Sequence, residues 1–538
     1  MPLSKSGHVD PFCRDNLPPE SEWPEFLPVP GVRYPERLNC AVELVDAVAG
    51  RLGGDRPCLR APGEPDWTYA DLQRVSDQIA AVLVEDHGIV PGNRVLLRGP
   101  NTPWLVACWF GVVKAGAVAV STMPLLRGGE LAAIARIGVI DFALCDWRFL
   151  DELHAAAIPG LRVVEFGGPD GLTRAVAAKP AGFAAVDTAA DDVAMLAFTS
   201  GTTGRPKATM HFHRDVLAIA DTFSAHVLRP EPDDVFTGSP PIAFTFGLGG
   251  LVVFPLRAGA STLLVEKATP EELADLIAEH RVSVCFTAPT AYRAMLAAGR
   301  ADRLATLRRA VSAGEHLPAA TWHAIHDATG IKVIDGIGST ELLHIFVSAA
   351  DDEIRPGATG RAVPGYVATV LDEAGAPVPP GTAGRLAVKG PTGCRYLADE
   401  RQRSYVHDGW NLTGDTFVQD ADGYFWYQAR NDDMIVSSGY NIAGPEVEEA
   451  LLAHPDVREC AVVGLPDEAR GQVVTAFVVL RDGAAADEAK IAELQQFVKD
   501  HIAPYKYPRR VFFRDALPKT ATGKVQRFQL RAAALPVA

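Results

Sequence analysis

Thr199-Ser200-Gly201-Thr202-Thr203-Gly204-Arg205-Pro206-Lys207 decides how this chain is read. The apolar run Val193 to Phe198 precedes it, bounded by polar residues, so a buried strand feeds the loop. Two glycines, four hydroxyl side chains and a lysine follow within nine residues. Glycine lets backbone N–H groups turn toward an anion without a Cβ clash. The hydroxyls add donors, and Lys207 adds a point charge suited to phosphate. The pattern fits a loop that cradles the phosphates of a nucleotide. A Gly/Thr turn after a strand is the plainer alternative. A Walker loop is excluded, because it needs Gly-Lys-Ser/Thr contiguous. Here Arg205 and Pro206 separate Gly204 from Lys207.

Working outward, 538 residues exceed one ordinary domain, so several packed units are expected. Hydrophobic residues make up 48% and charged residues 22%, a balance suited to a soluble globular protein. The net charge of −15 disfavours a general nucleic-acid or anionic-membrane surface. Residues 1–20 carry prolines and charges and no apolar core, so no secretory signal is expected. The apolar stretches at 104–120 and 248–265 are cut by Lys114, Pro255 and Arg257, too short to span a bilayer. Eight scattered cysteines, without C-x-x-C or paired histidine spacing, argue against zinc and disulfides and for a reducing cytoplasm.

Short apolar runs alternate with helical segments through the first two thirds of the chain, which predicts βαβ units and parallel sheets. Thr68 is the expected N-cap of a helix over 72–84. Strands are expected at 94–97, 142–145, 282–287, 309–312 and 331–334. From about Gly360 to Arg430, short strands and dense Gly/Pro turns predict a β-rich unit. A compact α/β segment follows, its first helix marked by Pro445 and the acids after it. A boundary is placed at the charged stretch Arg430 to Asp433.

Three further clusters lie far from the phosphate loop in sequence. Gly336-Ile337-Gly338-Ser339-Thr340-Glu341 offers a hydroxyl for phosphate and a carboxylate for Mg²⁺, or else a turn with a helix cap. Thr413-Gly414-Asp415 reads as a tight turn whose carboxylate accepts ribose hydroxyls, or as an ordinary Gly-Asp turn. Pro518-Lys519-Thr520-Ala521-Thr522-Gly523-Lys524 carries a lysine able to reach a distant site, or forms a solvated basic tail.

In this order and spacing the four clusters resemble the adenylate-forming superfamily of acyl-CoA synthetases, luciferases and peptide-synthetase adenylation domains. The resemblance runs from about Trp67 to Arg527. It implies a large N-terminal α/β domain over 1–431, with parallel and mixed sheets flanked by helices and a β-rich part. It implies a small mobile α+β C-terminal domain over 432–538, turning about Asp432. The implied reaction is attack of a carboxylate on the ATP α-phosphate, then displacement of AMP by a thiol, usually that of CoA. Thr199, Ser200, Gly201, Thr202, Thr203, Gly204 and Lys207 are implied to hold the β- and γ-phosphates. Thr340 is implied at the α-phosphate, Glu341 at Mg²⁺, and Asp415 and Arg430 at the ribose. Lys524 is implied to bridge carboxylate and phosphate oxygens as charge develops. Gly439 is implied to border the thiol's path, while Asn441 stands where relatives often have arginine.

The acyl pocket is expected beside the phosphate loop, at Pro240 to Gly250. No acid stands there to pair an α-ammonium, so amino acids are disfavoured. Thr245, Phe246, Gly247, Gly314, Ile337 and His344 are the expected pocket residues, with Phe246 and Ile337 as flat walls and Gly314 leaving room for a ring. His344 reads either as a core histidine or as a polar contact to the acid. These stretches look most like the benzoate–CoA ligase branch, nearest the 2-aminobenzoate ligases. An aromatic amine ortho to the carboxylate is uncharged at neutral pH and needs a hydrogen-bond acceptor, which Thr245 or His344 could supply. The implied partners are a small aromatic carboxylate, ATP with Mg²⁺, and CoA, with no nucleic acid and no membrane. A homodimer is compatible with the sequence. Other small-carboxylate CoA ligation, or transfer to a carrier-protein thiol, are the alternatives; a non-catalytic nucleotide-binding relative is disfavoured, because Lys524, Glu341 and the loop are all present.

Overall fold

The computed structural model describes residues 3–534 apart from 201–205, 431–432, 438–439, 468–469, 503 and 520–524. The phosphate-loop hairpin, Val193–Ser200 with Pro206–Phe212, closes one edge of a six-stranded sheet. Inward from that edge come Val118–Thr122, Arg94–Arg98, Phe142–Asp146 and Arg162–Phe166, all parallel. Parallel strands need crossover connections, and helices supply them. The helix Pro103–Lys114 starts where Thr102 accepts the Leu105 N–H at 3.2 Å and Pro103 fills the first turn. It is buried along nearly its whole length, packed on the helix Tyr69–Ala81 and on strands of this sheet. Thr68 caps Tyr69–Ala81 as expected, in a reciprocal pair with Asp71 at 3.1 Å each way.

A nine-stranded sheet carries the other half of the large core. Its centre is parallel, running Val235–Gly238, Val284–Thr287, Arg309–Ala313 and Ile334–Gly338. One side turns antiparallel, Ile334–Gly338 pairing with Ile345–Ser348 and that strand with the edge strand Arg361–Ala362. The strand expected at 331–334 therefore begins where it was expected to stop, and the motif's two glycines lie inside it. The reason is steric: a Cβ on Gly336 would meet Ile345 at 2.8 Å, and one on Gly338 the His344 carbonyl oxygen at 2.7 Å. Glycine here lets the returning strand close on the motif.

The β-rich unit is an antiparallel sheet of Val367–Leu371, Ala383–Lys389, Trp410–Gln419 and Phe425–Arg430, with the short Val406–His407 at its edge. Residues 435–534 form a separate five-stranded sheet. Two apolar clusters of its own, centred on Val462 and Phe477, pack its faces. It touches the large part through Glu449, whose carboxylate accepts the Ala319 N–H at 3.1 Å, and through Arg293, which donates to the Arg458 carbonyl oxygen at 3.3 Å. All eight cysteines are free and buried. Among the described residues no helix is long and apolar enough to cross a membrane.

Candidate active site

The hairpin register sets Thr199 opposite Lys207 at the mouth of the loop. Lys207 opens the strand Pro206–Phe212, and His211 lies four residues on, so their side chains leave the same face. Both reach the turn that follows Ile334–Gly338. The Lys207 ammonium sits 3.0 Å from Glu341 Oε1. His211 Nε2 lies 2.8 Å from the Thr340 carbonyl oxygen and donates to it. The phosphate-loop lysine and the Thr-Glu pair, far apart in sequence, are thus held together by one strand.

Other elements fix the turn further. Ser339 Oγ accepts the Leu342 N–H at 3.2 Å and meets the Tyr405 hydroxyl at 3.2 Å. Thr392 donates to the Leu342 carbonyl oxygen at 2.7 Å. The Tyr396 hydroxyl donates to Glu341 Oε1 at 2.6 Å and accepts from Lys207. The Lys207 ammonium also lies over the Tyr396 ring, 4.4 Å from its centroid. Burial alone would raise the Glu341 carboxyl, but the Lys207 charge and the bonds from Tyr396 and Lys207 hold it below its ordinary value. Glu341 is therefore an anion in a nearly closed site, the condition a cation ligand needs.

Asp415 is aimed differently from expectation. Thr413-Gly414-Asp415 is a bulge within the strand Trp410–Gln419 and not a turn between strands. Arg385 pairs with Thr416 and Ala387 with Leu412, so three residues face Leu386 alone. Gly414 takes a left-handed φ of 80°, which lets the extra residues fit. Asp415 is then the direct cross-strand partner of Arg430. Burial, and then the charges of Glu341 and Asp415 among others, push the Tyr405 phenol well up. Tyr405 therefore stands within electrostatic reach of both carboxylates.

The expected acyl pocket is built from rings. Thr245 and Gly247 are buried in the short helix Thr245–Leu248, and Phe246 lies partly open. The Phe246 ring lies 5.6 Å from both Phe286 and His344. Phe254 and Phe223 close on His344 at 4.5 and 5.5 Å. The glycines here are packing devices: a Cβ on Gly249 would enter the His344 ring at 2.2 Å. His344 is 2% exposed, and neither ring nitrogen makes a hydrogen bond of normal geometry. Burial drops its pKa to about 3, against an opposing pull from the Phe246 backbone, so the ring is neutral. Ile337 packs against the same core, and Gly314 ends the neighbouring strand in an exposed left-handed turn, φ 88°.

Several members of the site carry no sequence signature. Thr392 and Tyr396 come from the stretch after the strand Ala383–Lys389, and Tyr405 ends the short helix Gln402–Tyr405. His211 looks like one more strand residue. Asp335, half-buried with its Oδ1 sealed from solvent and unpartnered, and its carboxyl pushed well up by desolvation, precedes the motif by one residue. His316, next but one to Gly314, stacks on Tyr427 at 5.5 Å, and burial drops its pKa to about 4. Gly201, Thr202, Thr203, Gly204, Asp432, Gly439 and Lys524 lie outside the described residues, as do the side chains of Ser200, Arg430 and Asn441. The stem of the Lys524 loop is described: Lys519 and Val525 form a bridge.

A phosphate-loop lysine pinned to a Thr-Glu turn, with a cluster of aromatic rings close by, is what the described residues bring together. The chain belongs to the AMP-binding enzyme family, which it matches over residues 45–396, with the AMP-binding enzyme C-terminal domain matched over 446–524. Among its relatives is the benzoate–CoA ligase of Thauera aromatica, 35% identical over 521 residues, covering 94% of this chain and 98% of that one. The 3-hydroxybenzoate–CoA ligase of Aromatoleum sp. (strain CIB) is 32% identical, covering 92% of this chain and 96% of that one. The crystal structure of an anthranilate CoA ligase in complex with anthranoyl-AMP superposes with a TM-score of 0.88. That enzyme is 34% identical, with 93% of this chain and 98% of that one covered.

Proposed function

We propose that this enzyme activates an aromatic carboxylate with ATP and transfers the acyl group to CoA. The carboxylate oxygen attacks the α-phosphorus and expels pyrophosphate. The CoA thiol then attacks the acyl carbon, forming the thioester and releasing AMP. The observation that carries the reading is the Phe246–Phe286–His344 ring cluster, free of any acid, packed close to the turn that bears Glu341. Flat apolar walls favour a ring, and the absence of an acidic residue between Pro240 and Gly250 disfavours an α-ammonium.

In this reading Lys207, with Thr199, Ser200 and the loop 201–204, holds the β- and γ-phosphates. Thr340 contacts the α-phosphate, and Asp415 with Arg430 holds the ribose. Glu341, an anion in a buried site, is the residue suited to Mg²⁺, which would neutralise phosphate charge when bound. Lys524 stabilises charge on the attacked phosphate, and the unit after Asp432 turns to bring Gly439 to the thiol's path. Thr245, Gly247, Gly314 and Ile337 shape the acyl pocket with Phe246. The finer assignment is 2-aminobenzoate, with His344 or Thr245 accepting from the ortho amine; the neutral imidazole, whose nitrogens make no hydrogen bond of normal geometry, supports it. The same reading places the enzyme in the cytoplasm; a homodimer, compatible with the sequence, is a matter for sedimentation.

The test is acid-dependent pyrophosphate release, with and without CoA, across benzoate, 2-aminobenzoate, hydroxybenzoates and hexanoate. Aryl acids are expected to lead, with aryl-CoA formed from free CoA. A preference for hexanoate overturns the aryl reading.

A further inference from the structure

Tyr396 belongs to no motif, yet it touches both ends of the Lys207–Glu341 pair. Its backbone is not a loose loop. Met210 donates to the Arg395 carbonyl oxygen at 2.8 Å, and Leu397 donates to Ala208 at 2.9 Å. Thr209 and Tyr396 form an antiparallel bridge between these bonds. Residues 395–397 therefore run as an extra strand beside Pro206–Phe212. The Tyr396 N–H is also held, by Gln402 Oε1 at 2.9 Å. The ring is fully buried.

Chemistry fixes the direction of the hydroxyl's bonds. Lys207 is an ammonium and only donates, so the Tyr396 oxygen accepts from it. The phenol proton then goes to the carboxylate, and Tyr396 donates to Glu341 Oε1. Lys207 takes that same oxygen at 3.0 Å. Among the described residues no side chain donates to Glu341 Oε2. The side chains thus clamp one carboxylate oxygen and leave the other to backbone N–H and ligand.

We propose that Tyr396 is a positioning residue for Glu341, holding Oε1 so that Oε2 presents to the divalent cation that accompanies ATP. The inference rests on the proposed roles of Lys207 and Glu341. When phosphates draw the Lys207 ammonium away from the carboxylate, the Tyr396 hydroxyl stays, because its backbone is tied into the sheet. A carboxylate held by a fixed donor loses less freedom when it takes a cation than one held by a mobile lysine alone.

The experiment compares the full-length native chain with Tyr396→Phe, which keeps the ring under Lys207 and removes only the hydroxyl. Mn²⁺ serves as the probe, followed by electron paramagnetic resonance in the presence of ATP and without acid. The variant is expected to bind Mn²⁺·ATP about ten-fold more weakly, the loss of one charge-assisted hydrogen bond, with the KM for the acid unchanged. Equal Mn²⁺·ATP affinity in the two proteins overturns the inference and leaves the proposed function standing. No Mn²⁺·ATP binding by the native chain overturns both. If Tyr396→Phe does not fold, 3-fluorotyrosine placed at position 396 gives a second readout. Its fluorine resonance should broaden when Mn²⁺ is added with ATP; an unbroadened line again overturns the inference.

Discussion

On the proposed reading, His344 is where the acyl pocket makes its finest distinction. A neutral imidazole whose nitrogens make no hydrogen bond of normal geometry, amid four phenylalanine rings, is an uncomfortable burial. A polar substituent on the substrate ring relieves it, and a plain benzene ring does not. Replacing His344 by leucine keeps the bulk and removes the acceptor. The preference for 2-aminobenzoate over benzoate, measured as a ratio of kcat/KM values, should then fall by about ten-fold. An unchanged ratio would assign the discrimination elsewhere, with Thr245 the next candidate. The loss is expected in selectivity and not in overall turnover of benzoate, because the walls stay in place. A general collapse of activity would instead mean that the ring cluster needs the imidazole's exact shape.

At the scale of elements, the strand-helix alternation and the Thr68 cap were legible in the sequence, because periodicity and capping are local signals. The Thr413-Gly414-Asp415 geometry was not, since a bulge exists only relative to the strand it faces. The same holds for Tyr396 and His211, which join the site through cross-strand pairing that no spacing encodes. The glycines of Gly336 to Gly338 were visible as a motif, but the strand they occupy depends on Ile345 and His344 closing on them from the other side. Gly414 turns this difference into a measurement. Its φ of 80° strains any side chain, and Gly414→Ala should cost about 1–2 kcal/mol of stability. A bulge flattened to relieve that strain shifts Asp415 relative to Arg430. The KM for ATP should therefore rise several-fold while the KM for the acid stays put. A variant that loses stability but keeps its KM for ATP would show that the bulge serves the sheet and not the nucleotide.

Across the whole molecule, burying neutral histidines makes stability depend on pH. His213 and His344 ordinarily titrate near 6.5, and burial brings each to about 3 in the folded chain. Between those values the unfolded chain binds protons that the folded chain refuses. Stability is therefore fully present above 6.5 and is lost as pH falls toward 3. Asp335 works against this: its carboxyl is raised by burial, so its contribution is present at low pH and lost as pH rises. The carboxylates held low, such as Asp192 and Glu341, act only near and below the ordinary acid range, so they leave the upper part of the window to the histidines. Calorimetry of the ligand-free protein should show the melting temperature falling from about pH 7.5 to about pH 5. The His344→Leu variant should fall less over the same interval, because one of the refused protons is gone. A native profile that is flat or rises toward pH 5 would mean that Asp335 outweighs the histidines, and a variant slope equal to the native one would place the effect on His213 and its neighbours.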